Sequence, residues 1–276
     1  MSEEKIRSIL IWVSAIFLFV FCLFPFVWML IVSFTGAPDF LSAKSFYVFT
    51  LKNYEEIIFS VSLHFMDYLK NSIIVSSICA VFVTFFASLS AYAVSRFKFP
   101  GKMLIPAGML ALSMFPQISI IGYLFKLMIG LGWINTYSAL IFPYISLGMP
   151  LALWIMLSYF AQLPEELDKA GLVDGATRFQ VFSKIILPLA LPGVFATGLL
   201  IFIVSFNEFL FALMLTVDYR SRTIPVGIAL FQGLHGRIPW GSVMAGAVIA
   251  SIPIIILAAV FQKQIVQGLT KGAIKG

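Results

Sequence analysis

Glu208, in "SFNEFLFAL" (205–213), is the one acid or base in an otherwise uncharged apolar run of 23 residues, 193–215. An ionised group inside hydrocarbon costs about 2.5–3.5 kcal/mol on insertion scales, so it must repay that cost with a contact. Two roles fit. With Asn207 beside it, Glu208 can hydrogen-bond a polar solute on a translocation pathway, or it can tie one helix to another. Gln117, in "SMFPQISIIGY" (113–123), is a third polar candidate for such a pathway, because Pro116 just before it frees backbone carbonyls. Catalytic chemistry finds no foothold. The two histidines, His64 and His235, lie apart, and no metal-ligand or nucleophile–base spacing can be drawn from them. No G-x-x-x-x-G-K-[ST] phosphate-binding loop is present, so the chain is not itself an ATPase.

These residues sit in a chain of 276 residues that is 61% hydrophobic and 11% charged. Soluble domains carry about 25% charged residues, so this is an integral membrane protein. A membrane-spanning helix needs about 20 apolar residues. Six runs qualify: 9–32, 72–94, 103–125, 136–158, 193–215 and 243–261. The first is too long for a signal-peptide core and has no A-x-A cleavage pattern after it. The expected architecture is all-α, one membrane domain over 1–276 with six transmembrane helices.

Orientation follows from the cations. With the N-terminus inside, the inner segments hold 11 Lys and Arg and the outer loops hold 7. The positive-inside rule then puts both termini in the cytoplasm. The net charge of +6 is scattered along these segments rather than clustered, which speaks against nucleic-acid binding. Cys22 and Cys79 fall in separate apolar runs and do not suggest a disulfide scaffold. Small residues four apart, Ala87/Ala91 and Gly246/Ala250, suit close helix packing within the chain or with a partner.

One cytoplasmic segment, 162–191, is too long and too charged for a simple connection. Pro164 can open a helix whose positively polarised first turn holds Glu165, Glu166 and Asp168. Asp174-Gly175 marks a break, and a second helix can start near Ala176 or Thr177. Phe179, Phe182 and Ile186 would then share an apolar face, Asp174 and Arg178 could pair at i, i+4, and Pro188 should limit continuation into the fifth span. On physical grounds alone, this piece could lie on the inner membrane surface or dock into a partner.

The spacing Gly175, nine residues, Ile185, one residue, Leu187-Pro188 resembles the EAA loop of ABC importer permeases, E-A-A-x3-G-x9-I-x-L-P. Lys169-Ala170-Gly171 stands where Glu-Ala-Ala is usual, and acidic character is kept at the neighbouring Asp168 and Glu166. Further stretches resemble the carbohydrate branch, similar to the maltose-system permease G subunit: "AYAVSRFKFPGK" (91–102), "NTYSALIFPYISLGMPLALWIM" (135–156), "NEFLFAL" (207–213), "TIPVGIALF" (223–231) and "IVQGLTKGAIKG" (265–276).

The resemblance implies a type I ABC importer permease fold in a prokaryotic plasma membrane and a non-enzymatic role in ATP-driven sugar import. It implies a second homologous permease, two cytoplasmic ATPase subunits that bind ATP and Mg, and an extracytoplasmic sugar-binding protein; no cofactor belongs to this chain. It also implies a coupling helix around 174–182, seated in the ATPase with Phe179 and Phe182 as knobs. The loop residues expected to take part are Asp168, Lys169, Ala170, Gly171, Asp174, Gly175, Phe179, Phe182, Ile185, Leu187 and Pro188. The outer loop 217–242, with Arg220, Arg222, His235, Arg237 and Trp240, would reach towards the binding protein or simply be solvated. The Gly-rich tail 268–276 would lie near the ATPase or be disordered. Alternatives are a permease for another polar solute such as glycerol 3-phosphate, and an ion-coupled carrier. The first would want cavity Lys or Arg, and the second would want more intramembrane charge.

Overall fold

The computed structural model describes residues 3–36, 49–231 and 238–273. The elements in order are α1 (Glu3–Ser33), α2 (Lys52–Phe59), a 3₁₀ turn (Val61–Leu63), α3 (Phe65–Arg96), α4 (Leu104–Ser113), α5 (Gln117–Gly130), α6 (Tyr137–Phe160), α7 (Glu166–Val173) and α8 (Arg178–Val181). A π-helical turn (Phe182–Ile186), α9 (Leu187–Phe206), α10 (Leu210–Leu215), α11 (Ile224–Ala229) and α12 (Trp240–Ala273) complete it. Among the described residues, five helical stretches are long and apolar enough to cross a membrane, and the pair α4–α5 makes a sixth if its two halves count as one span. This follows from the bilayer, where a segment must satisfy its own backbone hydrogen bonds.

Two of the runs differ from single straight helices. Residues 103–125 form α4 and α5, bent by 90° across residues 114–116. At 1.5 Å per residue, the 10 residues of α4 and the 14 of α5 measure about 15 and 21 Å, so neither half crosses about 30 Å of hydrocarbon alone. Pro116, extended at ψ 124°, is the cap that starts the second half. The fifth run begins earlier than residue 193, at Leu187, and breaks after Phe206 before α10.

The chain divides into two compact units. In the first, 1–65 with 228–252, α1 is exposed along nearly its whole apolar length, as suits a helix surrounded by hydrocarbon. Its end is tied down: Asn53 Nδ2 donates to the Ser33 and Thr35 carbonyls at 2.8 and 3.0 Å, satisfying acceptors that a helix C-terminus leaves over. Ser33 Oγ meets Tyr54 Oη at 2.7 Å, and Ser242 Oγ donates to Glu56 Oε2 at 2.9 Å.

In the second unit, 66–227 with 253–276, α6 packs along α9 and against α4. One buried cluster gathers Tyr92, Phe160, Phe182 and Ile186 at the α7–α8 end, and another gathers Cys79, Tyr144, Phe211 and Leu215. Close approach of α9 to α6 depends on Gly193, where an added Cβ would stand 2.5 Å from the Tyr159 ring. Cys22 and Cys79 are free thiols.

Candidate functional site: a two-helix loop and a broken span

Residues 161–188 fold as two short helices around a tight turn. α7 ends in a Schellman arrangement: Ala176 N donates to the Gly171 carbonyl at 3.0 Å and Gly175 N to that of Leu172 at 3.1 Å. The turn needs a left-handed residue, and Gly175 supplies it at φ +84°. Thr177 then caps α8 in a reciprocal box with Gln180: Gln180 N donates to Thr177 Oγ1 at 3.3 Å and Thr177 N to Gln180 Oε1 at 2.8 Å.

The first helix is fastened to the bundle through Asp168. Its side chain is 11% exposed, and Arg96 Nε stands 2.9 Å from its Oδ2. Tyr92 Oη donates to Oδ1 at 2.7 Å, and the same Arg96 donates from Nη2 to the Leu163 carbonyl at 2.8 Å. One acid on α7 therefore holds the end of α3, and one base on α3 holds the entry to α7. Gly171 is buried, and a Cβ there would come within 2.7 Å of Ile185 and 3.0 Å of Val181, so α7 lies close against the following turn. This close approach suits glycine where the related pattern has alanine.

The aromatic pair divides. Phe179 is 69% exposed, whereas Phe182 is 4% exposed and packs on Tyr92 and Phe160 with ring centroids 5.1 and 6.4 Å away. The expectation that both rings are knobs for a partner is corrected: only Phe179 is available. Phe182 is covered by the Tyr92 and Phe160 rings, while Phe179, 6.5 Å from it ring to ring, stays on the outer side. A π-helical turn follows at Phe182–Ile186, where Leu187 N reaches back to the Phe182 carbonyl. It also corrects the expectation for Pro188. The chain runs helically from Arg178 into α9, with Pro188 in the first turn of α9, because the π turn re-routes the hydrogen bonds that a proline would otherwise disrupt. The Asp174–Arg178 pair does not form either. Gly175 separates them, and the Arg178 guanidinium sits 5.3 Å over the Phe97 ring.

The expected loop residues thus sort by exposure. Lys169, Ala170, Asp174, Gly175, Phe179 and Pro188 are exposed, Ile185 and Leu187 half-buried, and Asp168, Gly171 and Phe182 buried. Val173, which sequence reasoning did not single out, is 86% exposed beside the turn.

Glu208 occupies the break between α9 and α10. Its Oε1 accepts from Phe211 N at 2.8 Å and its Oε2 from Ala212 N at 3.1 Å, so the carboxylate caps the first turn of α10. Asn207 is not its partner; its Nδ2 donates to the Ile203 carbonyl at 2.9 Å and closes α9. The buried Tyr144 hydroxyl lies within electrostatic reach of Glu208 without a well-formed hydrogen bond. Gln117 is exposed at the start of α5, the helix against which α10 packs.

At the opposite end of this unit, Asn135, held left-handed at φ +61°, collects a network that sequence reasoning missed. Its Oδ1 accepts from Val217 N, Asp218 N and Ser221 Oγ, and its Nδ2 donates to Asp218. Asn tolerates this backbone region, and "GWINT" follows a glycine turn, which is the one available signal. Arg220 and Asn135 hold the Asp218 carboxyl well below the usual carboxylate range. Asn71 Nδ2 donates to the Tyr219 and Arg222 carbonyls. His235 and Arg237 lie outside the described residues. Of the tail, α12 continues to Ala273 and residues 274–276 lie outside them.

Comparison with known proteins agrees with this fold. Residues 84–271 match the family described as binding-protein-dependent transport system inner membrane component. The chain is 56% identical to the trehalose/maltose transport system permease protein MalG of Thermococcus litoralis, over 100% of both chains. It is 42% identical to the trehalose transport system permease protein SugB of Mycobacterium tuberculosis, covering 77% of this chain and 78% of that one. Among solved structures, a bacterial ABC transporter involved in the import of the acidic polysaccharide alginate superposes with a TM-score of 0.78 at 21% identity, covering 95% of this chain and 98% of the other.

Proposed function

The chain belongs to the family of binding-protein-dependent transport system inner membrane components, and from that premise we propose that it is one half of the translocation pathway of an importer for small α-glucosides. It is a transport component of the membrane, not an enzyme. The substrate class rests on its similarity to permeases of trehalose and maltose systems. A second homologous permease completes the pathway, an extracytoplasmic binding protein delivers the sugar, and two cytoplasmic ATPase subunits hold ATP and Mg and drive the cycle.

The observation that carries the mechanism is the division of the 161–188 segment into a fastened base and an open tip. Asp168, Gly171 and Phe182 are locked into the chain, while Val173 and Phe179 are open at the turn. A rigid piece with a free apolar end acts as a lever. When the ATPase subunits close, their groove carries Phe179 and the α8 turn along, and the Asp168–Arg96 link passes the displacement to α3. The continuous helix from Arg178 to Phe206 passes it to α9. Glu208 sits where that long element breaks and keeps α10 as a separate capped piece. In this reading Glu208 shapes the pathway rather than binding sugar itself, while Asn207 and Gln117 remain the exposed polar candidates for solute contact.

The test is Phe179→Asp in the assembled transporter. An aromatic anchor at a protein interface contributes about 2–4 kcal/mol, so the variant should weaken capture of the ATPase subunits by about thirtyfold or more and abolish sugar-stimulated hydrolysis. Unchanged capture and unchanged stimulated turnover would remove the lever from the mechanism.

A further inference from the structure

A cavity of about 570 Å³ opens between the last turn of α3, the segment leading into α4, and the end of α6 with the start of the lever. Its lining falls into two chemical groups. Met103, Trp154 and Leu157 are apolar, while Arg96, Lys102 and Glu165 are charged. Trp154 is 49% exposed, and Met103 and the adjoining Leu104 are 62% and 74% exposed where the apolar run of α4 begins. An indole and a lysine beside the start of an apolar run are the residue types that collect where spans leave hydrocarbon for headgroups.

The free charges in this cavity are few. Arg96 is already committed to Asp168 and to the Leu163 carbonyl. The lining hydroxyls of Ser95 and Ser158 donate back to their own helices, to the Tyr92 and Trp154 carbonyls. Among the described residues, neither Lys102 nor Glu165 makes an ion pair. What is left is one ammonium, one carboxylate and an indole face beside an apolar strip.

We propose that this cavity binds a zwitterionic glycerophospholipid of the leaflet on the lever side. The phosphate sits on Lys102, the headgroup ammonium on Glu165 beside Trp154, and the upper acyl chain along Met103 and Leu157. Charge decides the class. A purely anionic headgroup would satisfy Lys102 but bring no cation to the Glu165 carboxylate, leaving at most neutral hydroxyl donors there. Free phosphate would leave the apolar lining in water. A primary ammonium donates hydrogen bonds to a carboxylate and is attracted by an indole face. The inference goes beyond the transport reading. Its consequence is local: Glu165 and Pro164 lead into α7, so the lipid rests on the base of the lever.

The experiment equilibrates the purified full chain with equal parts phosphatidylethanolamine and phosphatidylglycerol, then counts retained lipids by native mass spectrometry. The wild type should keep one phosphatidylethanolamine, preferred about fivefold, the upper range for one solvent-edged charge contact. Glu165→Gln should bring the two lipids to parity, and Lys102→Ala should lose both. The reversed pair Lys102→Glu with Glu165→Lys should keep the ethanolamine lipid. Circular dichroism and thermal unfolding check that each variant folds, and the reversed pair carries the test if a single variant does not. Equal retention in wild type and all folded variants overturns the proposal, as does a preference for phosphatidylglycerol or displacement of the lipid by inorganic phosphate alone. Unchanged lipid counts together with lost capture of the ATPase subunits would assign the cavity to a protein partner, which also overturns it.

Discussion

Replacing Asp168 by Asn removes one charge from a pair that is held almost dry, with side-chain exposures of 6% for Arg96 and 11% for Asp168. The substitution is nearly isosteric, and the Asn carbonyl can still accept from Tyr92, so packing and one hydrogen bond survive. What is lost is compensation for the Arg96 guanidinium. Breaking a buried pair from one side costs about 3–5 kcal/mol, and the retained hydrogen bond puts this case near 3 kcal/mol. Replacing both partners together by apolar residues, Arg96→Met with Asp168→Leu, should recover most of that loss, because no orphaned charge remains. The cycle of wild type, Arg96→Met, Asp168→Leu and that double variant should therefore be non-additive by about 2 kcal/mol. Unfolding by detergent titration in mixed micelles, followed through the five tryptophans, measures all four proteins. The functional readout separates the link from mere stability. With Asp168 buried, the lever's outer surface is unaltered, so ATPase subunits should still co-purify while sugar moved per ATP falls. A loss below about 0.5 kcal/mol with an additive cycle would mean that solvent screens the pair and α7 is not fastened through it.

Gly193→Ala introduces a Cβ that would stand 2.5 Å from the Tyr159 ring, so α9 and α6 must separate locally. The expected cost is about 1–3 kcal/mol in the same titration, and adding Tyr159→Leu should return most of it. On the opposite face, the contacts of Asp218 with Arg220 and Asn135 hold its carboxyl well below the ordinary range near 4. A depressed carboxyl contributes stability above its unfolded value and loses it only as pH falls through the lower folded value. The Asn135 network should therefore remain intact at pH 4, and carboxyl carbon shifts should show Asp218 still ionised there; a midpoint near 4 would contradict the geometry.

The spans were legible because hydrocarbon leaves little choice: a long uncharged run must be helical and must satisfy itself. The breaks were less so. Pro116 signalled a kink, but a proline sets where a helix yields and not how far it turns. The 90° bend belongs to α5 finding its place against α10. At Asn207–Phe209 no proline or glycine marks the interruption. The break exists because the Glu208 carboxylate satisfies the amides of Phe211 and Ala212, so a second helix can start inside the run. An acid whose cost alone left solute contact and a helix tie both open is, in the fold, bonded to the first turn of α10.

The lever was legible as a motif and not as a mechanism. Gly175 and Thr177 announce a turn and a cap through chemistry local to four or five residues, which a sequence displays directly. The apolar stripe from Phe179 through Phe182 to Ile186 shows in the sequence, but which of its members is covered depends on Tyr92 and Phe160, far off along the chain. The motif also mixes letters that act on opposite sides of the element. Successive residues on α7 are about 100° apart, so Asp168 points into the bundle and Lys169 out of it. An acid at 168 fastens α7 to α3, whereas the residue at 169 lies exposed. Lys169 in place of the usual glutamate therefore changes the outer face of α7 and leaves the buried Asp168–Arg96 pair untouched.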